Sequence, residues 1–444
     1  MDMHRRRTLP AALPPALAAL CLLSGCSDAG PAAGDKPRVV SPPPAGTAGK
    51  VSGEVWTAGY NTDGQLGRRT AKDMDVALGP AMGLQGQGRL RGVLAMAGGG
   101  RHSLAILADH RVVAWGANDK SQLGDGTKTA RAFPTPVRAP DGKPGNLSDV
   151  AAVAADADFS MALLGNGTVV TWGTGESGQR GIGRKAAPAF PTTLRRPDGR
   201  GPLTGVTAIA VNGRTGLALT KSGTVFGWGA NRYGMVGDGT ATDRPLPRPV
   251  RGPNGAPKLT GVRQISLGGR HALARLANGT VVAWGANNAG QLGDGTRRNH
   301  AAPTTVAGPH GLPILRNVTS VSAGANHNYA LRGDGTVVAW GENVSGQLGN
   351  GSVEDSLRPV PVLGVRSSHL RGVAQIHASG TYGVAVLTDG TALTWGSGGK
   401  GQLGSGNLMP RSRPGTVVLT GGRPAGRVIG VGTGQRHLQL LMRW

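Results

Sequence analysis

The sequence predicts an all-β fold, a seven-bladed β-propeller of four-stranded blades, closed by pairing of the C-terminal strands with the N-terminal strands. Three observations predict it. A tryptophan recurs at positions 56, 115, 172, 228, 284, 340 and 395, at spacings of 59, 57, 56, 56, 56 and 55 residues, and a fixed period of this kind marks a repeat architecture. Short alternating apolar runs bounded by turn residues fill each period, as strands in a meander do. The two ends of the chain are complementary fragments of one repeat. Composition agrees, since 77 Gly and 30 Pro among 444 residues suit short strands joined by turns rather than long helices.

Residues 1–25 read as a signal peptide, with basic His4-Arg5-Arg6-Arg7 followed by an apolar run from Leu9 to Leu23. That run carries Pro10, Pro14 and Pro15 and falls short of the ~20 apolar residues a spanning helix needs. Its ending, Leu23-Ser24-Gly25-Cys26, resembles the lipobox of bacterial lipoproteins. The resemblance implies cleavage before Cys26 and a thioether-linked diacylglycerol on that residue, and two acyl chains hold a protein on a bilayer where one holds it only marginally. Cys21, the other cysteine, lies in the discarded run, so the mature part has no disulfide. Residues 26–52, rich in Pro, Ala and Gly, read as a lipidated tether. The expected location is the cell membrane, lipid-anchored and facing outside the cytoplasm.

Residues 53–444 hold the repeats, near 92–147, 148–204, 205–260, 261–316, 317–372 and 373–427, with the first blade drawn from 53–91 plus 428–444. The fullest repeat predicts strands over 262–267 and 272–277, a reversal at Asn278-Gly279, and a third strand ending in Trp284-Gly285. Asn-Gly is a strong hairpin signal because a type I′ turn needs positive φ at both positions. The reversal recurs as Asn166-Gly167, Ser222-Gly223, Asp334-Gly335 and Asp389-Gly390, and departs from the pattern at Asp109-His110. After each Trp-Gly comes a second motif, fullest as Asn287-Asn288-Ala289-Gly290-Gln291-Leu292-Gly293-Asp294-Gly295-Thr296. Diverged copies stand at Gln179-Arg180-Gly181 and Met235-Val236-Gly237.

With an upstream Gly-x-x-His, this motif resembles the regulator of chromosome condensation (RCC1-like) repeat, over about residues 53 to 444. The resemblance implies a seven-bladed propeller. Trp56 lacks the upstream strand pair, whereas 428–444, containing Gly434-Gln435-Arg436-His437, lacks the downstream Trp-Gly. Pairing the two completes a blade and removes exposed sheet edges.

No catalytic constellation emerges. His102, His271, His327 and His437 occupy equivalent places, but Phe159, Thr215 and Tyr382 stand there in the other blades, so each His is expected to be structural, bonded to its own blade's turn. The recurrent Trp are expected to pack between blades. Loops such as Asp125-Gly126-Thr127 offer one carboxylate each, too few for calcium, and no metal or other cofactor is expected.

Charge is the remaining signal. The formal net charge is +24, which favours acidic partners through long-range attraction. The loops after the second motif carry Arg68 and Arg69, Lys128 and Arg131, Arg184 and Lys185, Arg244, Arg297 and Arg298, and Arg411 and Arg413. They form a candidate basic rim, broken in the sixth blade by Glu354 and Asp355. A protein partner or an anionic surface of lipid headgroups or cell-wall polymer is expected; nucleic acid is not, because the loops lack interleaved aromatics.

The family's best-known member exchanges nucleotide on a small GTPase, an activity not carried over because every repeat stays near the common period. The expectation is a monomeric, membrane-anchored, non-catalytic binding module. Alternatives are an inhibitor of a secreted enzyme such as a β-lactamase, as one exported bacterial relative is, and glycan binding or hydrolysis at the propeller face or channel.

Overall fold

The computed structural model describes residues 51–68, 72–364, 368–421 and 426–444; the signal peptide, Cys26, nearly all of the tether and Arg69 lie outside the described residues. Among the described residues the strands form seven four-stranded antiparallel sheets, and no helix is long and apolar enough to cross a membrane.

Blade 5 illustrates the unit. Its strands, named a to d outward from the axis, are Val262–Leu267, His271–Leu276, Val281–Gly285 and His300–Thr305. Strand c, Val-Val-Ala-Trp-Gly, is buried at every position, as a continuous apolar run should be when both sheet faces are covered. The hairpin between b and c differs from the type I′ turn expected. Only Gly279 has positive φ, at +75°, while its amide bonds Leu276 O at 3.0 Å; this is a type I turn closed by a left-handed glycine bulge. Asn278 serves instead through its side chain, whose Oδ1 accepts from Thr280 N at 3.1 Å and Thr280 Oγ1 at 2.7 Å. Where the pattern departs, His110 itself adopts φ 61°, tied down as its Nδ1 donates to Val150 O at 3.1 Å.

Blade 1 takes its inner strands from the C-terminus, Arg427–Thr433 and His437–Arg443, and its outer strands from the N-terminus, Glu54–Tyr60 and Met74–Pro80. Glu54 pairs with Met442 and the ladder runs without a break to Gly59 and His437. The ring is thereby closed through hydrogen bonds within a single sheet.

Seven hydrophobic clusters lie between successive blades, and each contains one of the recurrent tryptophans. Six of the seven also staple the interface by hydrogen bonding. Trp284 Nε1 donates to Met235 O at 2.9 Å and Trp172 Nε1 to Gln122 O at 2.8 Å, each acceptor being the first residue of the Gln-Leu-Gly segment in the preceding blade. Removing such a side chain costs about 3–5 kcal/mol in lost burial and cavity formation. Trp56 has no such acceptor and instead lies 5.5 Å from the Trp444 ring.

The blades have two distinct ends. In blade 5, the Leu267–Ala272 and Gly285–His300 pairs mark the loop end, which carries the a–b turn and the c–d loop. The Val262–Leu276 and Arg275–Val281 pairs mark the hairpin end. Val262 N donates to Gly223 O at 3.3 Å and Val318 N to Gly279 O at 3.0 Å, so neighbouring hairpin ends lie on one side of the ring. Along the axis, strands a line a cavity of about 520 Å³. Ser266 Oγ accepts from Ala323 N at 3.0 Å and Ser322 Oγ from Ala378 N at 2.8 Å, zipping blades 5, 6 and 7 together.

Candidate interaction face

The loop end is built from the second motif, and its Asn is the hub. Asn287 is fully buried; its Oδ1 accepts from Leu292 N at 2.8 Å, and its Nδ2 donates to Asp294 Oδ1 at 3.1 Å and Thr296 O at 3.0 Å. Asp294 Oδ1 also accepts from Thr296 N at 2.9 Å. Asn118, Asn231 and Asn343 repeat these roles. Each Asp-Gly-Thr is thus a turn whose carboxylate is occupied by protein donors. In blades 2 and 4 an Arg from the start of strand d closes the loop as well, Arg131 on Asp125 at 3.1 Å and Arg244 on Asp238 at 2.6 Å. Burial works to raise the Asp125 and Asp238 carboxyls, but hydrogen bonds from Thr127 and Thr240, together with the arginines, hold both below the ordinary range.

The histidines bond across blades rather than within their own, which corrects the expectation. His102 Nε2 meets Ser160 Oγ at 2.8 Å, and Ser160 Oγ donates to Gln122 O at 3.0 Å. Since the serine spends its proton on that carbonyl, the ring must donate from Nε2. His437 repeats this with Ser103 at 3.1 Å, and His271 with Asn328 at 2.6 Å. Among the described residues no hydrogen bond reaches either nitrogen of His327, whose ring lies edge-on to Tyr329 at 5.1 Å. His102, His271 and His437 are therefore interface struts, each in a separate interblade seam.

The basic residues do not form one free rim. Arg68 is mostly buried, pairs with Asp75 at 3.0 Å and donates to Thr57 O and Ala77 O at 3.3 Å. Arg131 and Arg244 are the loop struts just described. Arg297 pairs with Asp355 of the next blade at 3.6 Å and Lys185 with Asp243 at 3.7 Å, so an acidic residue taken as a break in the rim is a partner for it. Arg411 donates to Thr416 O at 3.0 Å, and the Arg413 side chain lies against Gly351 of blade 6. Lys128, Arg184 and Arg298 are exposed. Tertiary folding thus ties Arg68, Arg131, Lys185, Arg244 and Arg297 into separate local pairs.

Sequence reasoning missed an apolar sector on the same loops. The tip position occupied by Lys128, Lys185 and Arg297 becomes Val353 in blade 6 and Leu408 in blade 7, where Met409 follows. Val344, Val353 and Met409 are 69, 56 and 67 % exposed. The signal was present as apolar residues at loop positions that are polar elsewhere. Beside this sector the cavity mouth carries Lys400, Gln402, Gln435 and Arg436. Lys400 and Arg436 sit 5.5 and 5.8 Å from the Tyr60 ring, within cation–π range. Asp156 accepts from Gln435 Nε2 at 2.8 Å and Gly213 N at 3.0 Å, and burial pushes its carboxyl upward.

Comparison with known proteins agrees with this architecture. Residues 47–370 match the RCC1-like domain and residues 389–441 the regulator of chromosome condensation (RCC1) repeat. The ultraviolet-B receptor UVR8 of Arabidopsis thaliana is 29% identical over 370 residues, covering 82% of this chain and 78% of UVR8. The mouse E3 ubiquitin-protein ligase HERC2 is 31% identical over 334 residues, 73% of this chain but only 6% of that protein. Among solved structures, human WBSCR16 superimposes with a TM-score of 0.71 at 22% identity, covering 88% of this chain and all of that one. Prp20p of Saccharomyces cerevisiae, described together with its binding to Gsp1p and histones, gives 0.71 at 21%, covering 90% and 93%. RCC1-like propellers serve generally as binding and regulatory modules. On its repeats, its closed ring and these matches, the chain belongs to the RCC1-like family.

Proposed function

We propose that this protein is a non-catalytic binding module, anchored to the membrane outside the cytoplasm through a lipid on Cys26, that takes a protein partner on its loop end. The apolar sector of blades 6 and 7 carries this reading. Exposed Val344, Val353, Leu408 and Met409 interrupt a polar face, and apolar groups rimmed by polar ones mark interaction sites. Tyr60 between two cations supplies an aromatic anchor next to that sector. His102, His271 and His437 and the Asp side chains of the Asp-Gly-Thr turns are taken up by structural hydrogen bonds, which supports a binding rather than a chemical role.

The test is cross-linking and affinity capture with the full-length chain from intact cells, comparing the natural sequence with a Val353→Asp/Met409→Asp variant. A captured protein lost in the variant supports the reading, with affinity falling roughly tenfold or more. An unchanged capture profile overturns the placement. Suppression of a β-lactamase by the natural chain and not by the variant would identify the partner as a secreted enzyme. Metabolic labelling with a fatty-acid analogue, abolished by Cys26→Ser, checks the anchor separately.

A further inference from the structure

Charge is distributed unequally between the two ends. Between Arg200 and Gly333 the sequence has three acidic residues, Asp238, Asp243 and Asp294, and each of them caps or closes a c–d loop at the loop end. The hairpin end of that sector holds Arg200, Lys221, Lys258, Arg263, Arg275 and Arg316 instead, five of them exposed and Arg275 half-buried. Among the described residues none of these six forms an ion pair. Arg263 and Arg275 stand together on adjacent strands. Burial lowers the Arg275 pKa and the Arg263 charge lowers it further, while Arg275 Nε has no acceptor. Nothing in the fold requires two uncompensated cations there; the other blades place Ile106, Leu163, Leu219, Leu331, Val386 and Leu441 at the Arg275 position.

The chain also enters the propeller at this end. Gly53 and Val93 exchange backbone hydrogen bonds at 2.9 and 3.2 Å, and Glu54 begins strand c opposite Met442, at the hairpin end of blade 1. Glu54 at the entry point is neutralised by Arg89 at 3.0 Å and Arg91 at 3.1 Å. Beside it Trp444 is 68 % exposed and Val51 47 %. An exposed indole prefers the headgroup layer of a bilayer, where its ring is apolar and its N–H wet. The loop end is different, with Arg101 held by Asp63, Asp119 and Asp158 at 3.3, 2.9 and 3.6 Å.

We propose that the hairpin end is a docking surface for an anionic lipid bilayer, in which the cations of blades 4 and 5 meet negatively charged headgroups and Trp444 enters the interface beside the chain entry. Blades 4 and 5 lie across the ring from blade 1, so the two contacts hold opposite edges. The disc then lies flat on the membrane with its loop end turned to a partner. That orientation rests on the anchoring reading above, whereas the attraction to lipid does not.

The test uses the full-length chain made by cell-free synthesis, with Cys26 unmodified, and sedimentation with vesicles of phosphatidylcholine alone or with about one third phosphatidylglycerol. One variant carries Lys221→Glu, Arg263→Glu and Arg316→Glu; a control carries Arg232→Glu, Arg270→Glu and Arg436→Glu at the loop end. Leader and tether are common to all, so differences report the two ends. Partitioning to anionic vesicles is expected to fall roughly a hundredfold or more in the first variant and little in the control, and to weaken steeply with salt. The corresponding Gln substitutions should give a smaller loss in the same order, with circular dichroism confirming the fold. Equal loss in both variants, or no loss in the first, overturns the proposal, as does retention on soluble anionic wall polymer without preference for anionic vesicles. Failure of the Cys26 label would remove the anchor and leave this partitioning result standing.

Discussion

The buried histidines set the most distinctive behaviour at the level of single residues. Burial, reinforced for His102 by the nearby His437 charge and for His327 by that of His271, lowers His102 and His327 to about 3; His271, His377 and His437 fall to about 4, all from an ordinary value of 6.5. Burial keeps the folded rings neutral, and a neutral ring protonated at Nε2 makes the bonds to Ser160, Ser103 and Asn328. Above pH 6.5 both folded and unfolded chains carry neutral imidazoles and this source of stability is fully present. As pH falls toward 4 the unfolded chain takes up protons that the folded chain refuses, so stability is lost across that window. Thermal unfolding midpoints are expected to fall steeply between pH 6.5 and 4, and a flat profile would contradict neutral buried rings. The recurrence of these His was plain in the sequence. Their partners were not, because Ser160 and Asn328 belong to the next blade and no spacing within one repeat points there.

Single loops are governed by the Asn hub. Asn343→Ala strips the acceptor from Leu348 N and the donor from Ser352 O, which should cost about 1–3 kcal/mol. Amide exchange over 344–352 should accelerate by at least tenfold while strands of distant blades are unaffected. Blades 3 and 7 manage without the hub because Gly175 and Gly398 replace it; a Cβ at either would lie within 2.5 Å of the Ala186 or Met409 carbonyl oxygen, so backbone occupies the space of the Asn side chain. The divergent Arg180 belongs to the same adjustment. It is fully buried where the other loops have Leu or, in blade 4, Val236, and donates to Gly173 O, Pro188 O, Phe190 O and Thr192 Oγ1. The motif could thus be read as a loop, but the fate of its basic residues could not. Six residues separate Arg131 from Asp125 and Arg244 from Asp238, and only the fold-back into strand d brings each pair into contact.

For the molecule as a whole, the period and the mismatched ends made the ring legible in the sequence, since seven tryptophans at one phase admit one stacking pattern. Which end bears which charge was illegible, because alternate strand directions send neighbouring segments of sequence to opposite ends. Removal of residues 427–444 should be severe, as it deletes strands a and b of blade 1 and strips the partners from Glu54 to Gly59. A sharp, unchanged melting transition in that truncation, or scattering from it as compact as from the full chain, would rule out closure through blade 1. Pairing the first strand with the last also demands contact between residues at extremes of the sequence, which slows folding.

That seam has an engineering corollary. Since Glu54–Tyr60 and His437–Arg443 are neighbours in one sheet, the cyclic order of the blades has no intrinsic starting point. Bridging Trp444 to Gly53 with a short Gly/Ser spacer and opening the connection between blades 4 and 5 would yield a circular permutant with the same seven sheets. Its new termini would stand on the far side of the disc, a means of choosing from which edge the propeller hangs.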